Sequence, residues 1–247
     1  MTQKIDKTLF MVFLAESSER YDDMAAFLES RIKTSFTDLT DEEKLLLSVA
    51  YKNQIIPLRN AINTVNTYEQ QELANNETFY IEYIKEYKYK LFKELEKKCT
   101  HINVVIESYL IPKAETNEDK LFYYKMRGDY YRYLAEKADE FKKRRYCSYC
   151  YAMYEKAKEY AEMVERKCHV TRLEFVLNLS NYYYEVVGDK DKAVEVIKEG
   201  LVGVVGEEVK VEMTNEEKYV LKALENNLNY YENTNKNASG NNTVNNK

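Results

Sequence analysis

Turn formers are scarce in this chain, with 6 glycines and 2 prolines among 247 residues, which leaves few places for the backbone to reverse sharply. Tryptophan is absent. Histidine is limited to His101 and His169, so acid–base or nucleophilic catalysis has little to build on, and the chain reads as a binding protein and not an enzyme. Only four cysteines occur, Cys99, Cys147, Cys150 and Cys168. Lys4, Asp6 and Lys7 interrupt the opening segment too early for a secretory leader, so a reducing, cytoplasmic location is expected. Cys147-Ser-Tyr-Cys150 has the spacing of a metal or redox pair but lacks a second pair, and neither metal nor cofactor is expected. No apolar run reaches the roughly 18 residues that membrane insertion requires. Excess positive charge is missing too: the formal net charge of -5 argues against nucleic acid as a partner.

What the chain does have is 24 tyrosines and 32% charged residues, a composition suited to long helices that pack by amphipathic rings and keep a wet edge. Apolar periodicity predicts helices over 8–19, 21–33, 40–72 and 77–110. A further helix opens near 116, and others follow over 146–166, 170–187, 190–205 and 214–232. Thr40-Asp-Glu-Glu43 and Thr214-Asn-Glu-Glu217 both read as capping boxes, and Pro57 falls inside the third helix, where a kink is expected. No strand-period segment and no consistent 34-residue repeat stand out. The expected fold class is therefore all-α, a nine-helix antiparallel array over residues 1–233, followed by a disordered Asn-rich tail over 234–247.

The most informative stretch is Lys125-Met-Arg-Gly-Asp-Tyr-Tyr-Arg-Tyr-Leu-Ala-Glu136. On a helix Arg132 has Asp129 and Glu136 as surface neighbours, which can hold its guanidinium in one pose, and Tyr133 follows about 100° further round. A fixed guanidinium beside a phenol suits an oxyanion. Taken alone, the stretch also fits a surface ion-pair ladder backed by aromatic core residues. Lys52 and Arg59 supply companion cations on another helix, seven residues apart and so within about 20° of one direction.

Arg20-Tyr-Asp-Asp-Met24, Leu46-Leu-Ser-Val-Ala-Tyr-Lys-Asn53 and Gly128-Asp-Tyr-Tyr-Arg-Tyr-Leu-Ala-Glu136 together resemble the characteristic stretches of the 14-3-3 family. So do Leu177-Asn178, Tyr183-Tyr-Glu185 and Asn227-Leu228, and the similarity is collinear over residues 8–232. The resemblance implies a cup-shaped homodimer, or a heterodimer with a paralogue, that clamps phosphoserine or phosphothreonine segments of client proteins. Carried over, Lys52, Arg59, Arg132 and Tyr133 would hold the phosphate. Lys125, Glu174, Leu177, Asn178, Asn181 and Glu185 would face the peptide, joined by Tyr219, Val220, Ala223, Asn227 and Tyr231. Leu14, Ala15, Arg20, Tyr21 and Asp23 would meet Tyr87, Lys90 and Glu94 of a second copy, with Arg20 opposite Glu94 and Asp23 opposite Lys90.

Several positions depart from the family pattern. Glu174 stands where glycine is usual, Asn181 where an aliphatic residue is, Tyr219 and Ala223 where leucines are, and Tyr231 where tryptophan is. Asn63 replaces a basic residue, Ala61 replaces a serine that some members phosphorylate, and the prolines expected before Lys167-Cys-His-Val-Thr-Arg172 are missing. Glu174, Asn178, Asn181 and Glu185 would fall within about 60° on one helix. A carboxylate at 174 is expected to repel acidic peptides and to make the flanking preference less hydrophobic. The alternative is a helical scaffold that keeps the fold and loses phosphate dependence.

Overall fold

The computed structural model describes residues 6–204 and 212–241. Nine α-helices and no strand occur among them: α1 Lys7–Ser17, α2 Tyr21–Thr34, α3 Asp41–Ala74, α4 Ile81–Val105, α5 Asn117–Lys137, α6 Glu140–Met163, α7 Val170–Asn181, α8 Lys190–Gly200 and α9 Asn215–Asn241. The stretch expected at 190–205 ends as a helix at Gly200, and its last position lies outside the described residues. Backbone helix continues past residue 233 as far as Asn241, while 242–247 of the expected tail also lie outside them.

Local chemistry sets the boundaries. Thr40 Oγ1 accepts from the Glu43 amide at 3.3 Å and Glu43 returns a carboxylate to the Thr40 amide at 2.9 Å, so two otherwise orphaned donors are satisfied at the start of α3. Thr214 and Glu217 repeat the exchange at 3.2 Å and 2.8 Å before α9. Both carboxylates are buried, and each is neutralised from outside its own helix, Glu43 by Arg31 and Glu217 by Arg166. α3 runs on through Pro57 as a single helix. The missing amide matters little there because Pro57 is exposed and water can reach the freed carbonyl.

The chain divides into two compact units. The first comprises residues 1–115 with 137–143, and the second 116–136 with 144–247. In the first, α1 to α4 pack on their neighbours around Val12, Met24, Leu28, Ile32, Leu47, Ile55 and Leu95, all shielded from solvent. Lys113 closes α2 from beyond the helix, donating at 2.7 Å to the carbonyls of both Ile32 and Ser35. A cation at that end complements the unpaired carbonyls of the last turn.

In the second unit, α7 packs on α8 and α9 around Leu173, Phe175, Ile197 and Leu224. The α5–α6 approach depends on Gly128, since a Cβ there would sit 2.4 Å from the ring of Tyr154. The Arg127-Gly-Asp129 tripeptide is buried helix interior. Cys99, Cys150 and Cys168 are buried free thiols, and Cys147 is half-buried. Among the described residues no group of side chains could hold a metal ion, and no helix is long and apolar enough to cross a membrane.

Candidate functional site

Helix α5 presents its polar residues inward. Lys125, Arg127, Asp129 and Arg132 are all buried, which is expensive for charge unless each finds a partner. Arg132 donates from Nη1 to Glu136 Oε1 at 2.6 Å, the i,i+4 contact that the spacing predicts. Its link to Asp129 is indirect. Arg132 Nε donates to the Tyr154 hydroxyl at 3.3 Å, and that hydroxyl donates to Asp129 Oδ1 at 2.6 Å. The other Asp129 oxygen accepts from Asn178 Nδ2 at 2.9 Å. A relay from α5 through α6 and back to α5 and α7 thus fixes the guanidinium, which lies 4.8 Å from the centroid of the Tyr133 ring. Burial works against the Arg132 charge, yet the surrounding phenols and carboxylates outweigh it and hold its pKa above the ordinary value. Burial and the Asp129 carboxylate push the Tyr154 phenol well up, so it stays a neutral donor.

Lys125 is enclosed in the same way. Its ammonium sits 2.8 Å from Glu174 Oε2 on α7, 3.9 Å from Asp129 Oδ2 and 5.6 Å from the Phe122 ring centroid. Burial alone would lower its pKa, but the two carboxylates reverse the effect and raise it. The repelling carboxylate expected at 174 is therefore already paired within the unit.

A second polar group lies between α7 and α9. Asn181 Oδ1 accepts from the Tyr231 hydroxyl at 2.8 Å and from Asn227 Nδ2 at 3.0 Å. Tyr231 is buried and stacks on Tyr184 with centroids 3.9 Å apart. Burial, then the Glu185 carboxylate, raises the Tyr231 phenol above its ordinary range. An asparagine in place of an aliphatic side chain and a tyrosine in place of tryptophan are thus compensating partners: each satisfies a polar atom that the other brings inside.

Other expected site residues differ in how much surface they offer. Tyr219 is 77% exposed, Ala223 and Leu177 are half-buried, and Val220 is buried inside the unit. Glu185 stands in a π-helical stretch over Tyr182–Val187, is exposed, and acts on the same Tyr231 phenol that bonds to Asn181. Tyr154 is the one residue central to the arrangement that no sequence pattern marks. It lies 22 positions beyond Arg132, and nothing in its spacing announces the contact.

The four phosphate candidates divide between the units. Lys52, exposed, and Arg59, half-buried, stand on α3 in the first unit, and Arg132 and Tyr133 stand on α5 in the second. Of the expected dimer residues, Leu14, Arg20, Tyr87, Lys90 and Glu94 are exposed, while Tyr21 and Asp23 are half-buried. Ala15 is 6% exposed and packs within the unit, so it has little surface left for a second copy. Arg20 pairs with Asp23 of its own chain at 2.8 Å.

The model of the 14-3-3 protein family matches residues 11–232. The chain belongs to the 14-3-3 family. Similar proteins include 14-3-3 protein 3 of Entamoeba histolytica, 39% identical over 199 residues that cover 81% of this chain and 82% of that one. The checkpoint signal transducer rad24 of Schizosaccharomyces pombe is 40% identical over 198 residues, 80% of this chain and 73% of the relative. A 14-3-3-like protein of Solanum tuberosum is 36% identical over 208 residues, 84% and 80% of the two chains. The nine α-helices among the described residues are consistent with the all-α fold of that family.

Proposed function

We propose that this 14-3-3 chain is a non-catalytic adaptor that clamps client segments carrying phosphoserine or phosphothreonine and so regulates signalling partners. The observation that carries the reading is the buried, pre-oriented Arg132, held by Glu136 and Tyr154 beside Tyr133 in a member of a family of Arg-cluster phosphomotif readers. A phosphate at neutral pH carries close to two negative charges and three strong acceptors. Within the ion pairs Lys125–Asp129, Lys125–Glu174 and Arg132–Glu136, two cations already face three carboxylates. These pairs therefore cannot balance a dianion, and Lys52 and Arg59 are assigned as the remaining phosphate ligands with Arg132 and Tyr133. Asn178 and Asn227 suit the client backbone, because an amide both donates and accepts.

Assembly as a homodimer in the cytoplasm completes the proposal, with Arg20 and Asp23 facing Glu94 and Lys90 of a second copy. Two such sites in one dimer would add avidity for doubly phosphorylated clients. The test is fluorescence anisotropy with matched phosphorylated and unphosphorylated peptides. Phosphate-dependent binding that Arg59→Glu reduces by about a hundredfold, roughly the loss of one charge-assisted contact plus the new repulsion, is the expected result. Equal binding of the two peptides would instead establish the phosphate-independent scaffold.

A further inference from the structure

The arrangement around Lys125 goes one step further, and it rests on the phosphopeptide reading above. Lys125 is nearly closed off from solvent, with only 8% of its side chain exposed, and the group in front of it is the Glu174 carboxylate at 2.8 Å, itself 31% exposed. Asp129 and the Phe122 ring close its other sides. Arg132 is likewise matched, by Glu136. A client side chain arriving here therefore meets the outer edge of a carboxylate and not a free ammonium. An acidic side chain must either displace Glu174 from its lysine or sit against a like charge, while a basic one gains a partner.

We infer that Glu174 is a specificity-determining residue: it occupies Lys125 and turns an anion-attracting face into one that selects clients with neutral or basic residues beside the phosphoresidue. The discriminating element is repulsive, which is how selectivity is commonly built when attraction to phosphate is shared by every client. Only one of the two partners has to change to expose it. Without the carboxylate at 174, Lys125 becomes available to a client anion, so the two residues must be energetically coupled in binding.

The experiment uses fluorescein-labelled alanine-based peptides with a central phosphoserine flanked on both sides by Asp, Ala or Lys, each with its unphosphorylated counterpart. The wild-type chain is expected to bind the Lys-flanked phosphopeptide about tenfold more tightly than the Asp-flanked one. Glu174→Gln should narrow that gap to about twofold by strengthening the Asp-flanked complex. Lys125→Met should cost about fivefold more affinity in the Glu174→Gln background than in the wild type, the signature of a pair that competes with the client. Glu174→Gly run in parallel guards against an effect of the new amide. If both variants are unstable by thermal melting, the wild-type flank preference decides alone. Equal affinity for Asp- and Lys-flanked phosphopeptides, or Lys125→Met and Glu174→Gln effects that simply multiply, overturns the inference. Indifference to the phosphate overturns the functional reading instead.

Discussion

Removing a single oxygen, by Tyr154→Phe, tests whether the relay through α6 is what fixes Arg132. The Tyr154 hydroxyl is buried and makes two contacts to charged groups, donating to Asp129 at 2.6 Å and accepting from Arg132 at 3.3 Å. Hydrogen bonds to charged groups contribute about 1.5–3 kcal/mol, and a buried partner left unsatisfied costs more than the bond itself. Here neither partner is stranded. Asp129 keeps Asn178 at 2.9 Å and Arg132 keeps Glu136 at 2.6 Å, so the loss belongs near the middle of that range, about 2 kcal/mol. For a chain of this size that corresponds to a fall in Tm of roughly 4–8 °C. Ring packing against Phe175 and Tyr182 is preserved, which separates the hydroxyl from the aromatic core. Phosphopeptide affinity should drop about three- to tenfold, since Arg132 loses one of its two anchors. Thermal unfolding followed by circular dichroism reads the first effect and anisotropy the second. A variant that melts within about 1 °C of the parent and binds as tightly would refute the relay.

Other perturbations follow from single contacts. Gly128→Ala places a methyl 2.4 Å from the Tyr154 ring, and with that ring fully packed a loss of about 1–3 kcal/mol in urea unfolding is expected despite the better helix propensity. Asn181→Leu removes the acceptor of the buried Tyr231 hydroxyl and leaves it only the 3.4 Å bond from Asn227, costing about 1–3 kcal/mol; pairing it with Tyr231→Phe should recover most of the loss, and no recovery would show that the two are uncoupled. Burial raises the Glu29 carboxyl, but hydrogen bonds from Tyr51, His101 and Lys33 outweigh it and leave its pKa below the ordinary 4.5. Its contribution to stability is then complete above about pH 4.5 and is lost as pH falls through the lowered value, so Glu29→Gln should flatten the acid limb of a stability–pH profile. Arg132→Glu is a poor probe of binding alone, because the buried site would then gather a further carboxylate with those of Asp129 and Glu136, and a large drop in Tm is expected alongside the loss of phosphopeptide.

Sequence legibility divides along physical lines. The capping boxes at Thr40 and Thr214 are complete within four residues, and both form as the pattern implies. The Arg132–Glu136 pair is a property of one helix, and it too is visible in advance. Lys125–Glu174 and Asn181–Tyr231 join positions 49 and 50 residues apart, and only packing of α7 on its neighbours brings them together. For that reason the sequence shows the Glu174 carboxylate without the lysine that it pairs with in the fold. The π-helical stretch at Tyr182–Val187 is hidden for a different reason: apolar spacing alone does not reveal a widened turn. Burial of Ala15 and Val220 is a third case, where a residue on the expected face is spent on the interior of its own unit.

The unequal exposure of the four thiols makes the chain its own reporter. With Cys99, Cys150 and Cys168 sealed away and the Cys99 and Cys150 thiols pushed up by burial, the native chain behaves towards a maleimide almost as a single-cysteine protein, reacting at Cys147 on α6. A dye can thus be attached on the same helix as Tyr154 without engineering, and any opening of either unit registers as the appearance of further reactive sulfurs. The labelling count then becomes a clock for local opening in the unit that contains Cys99 and in the one that contains Cys150 and Cys168.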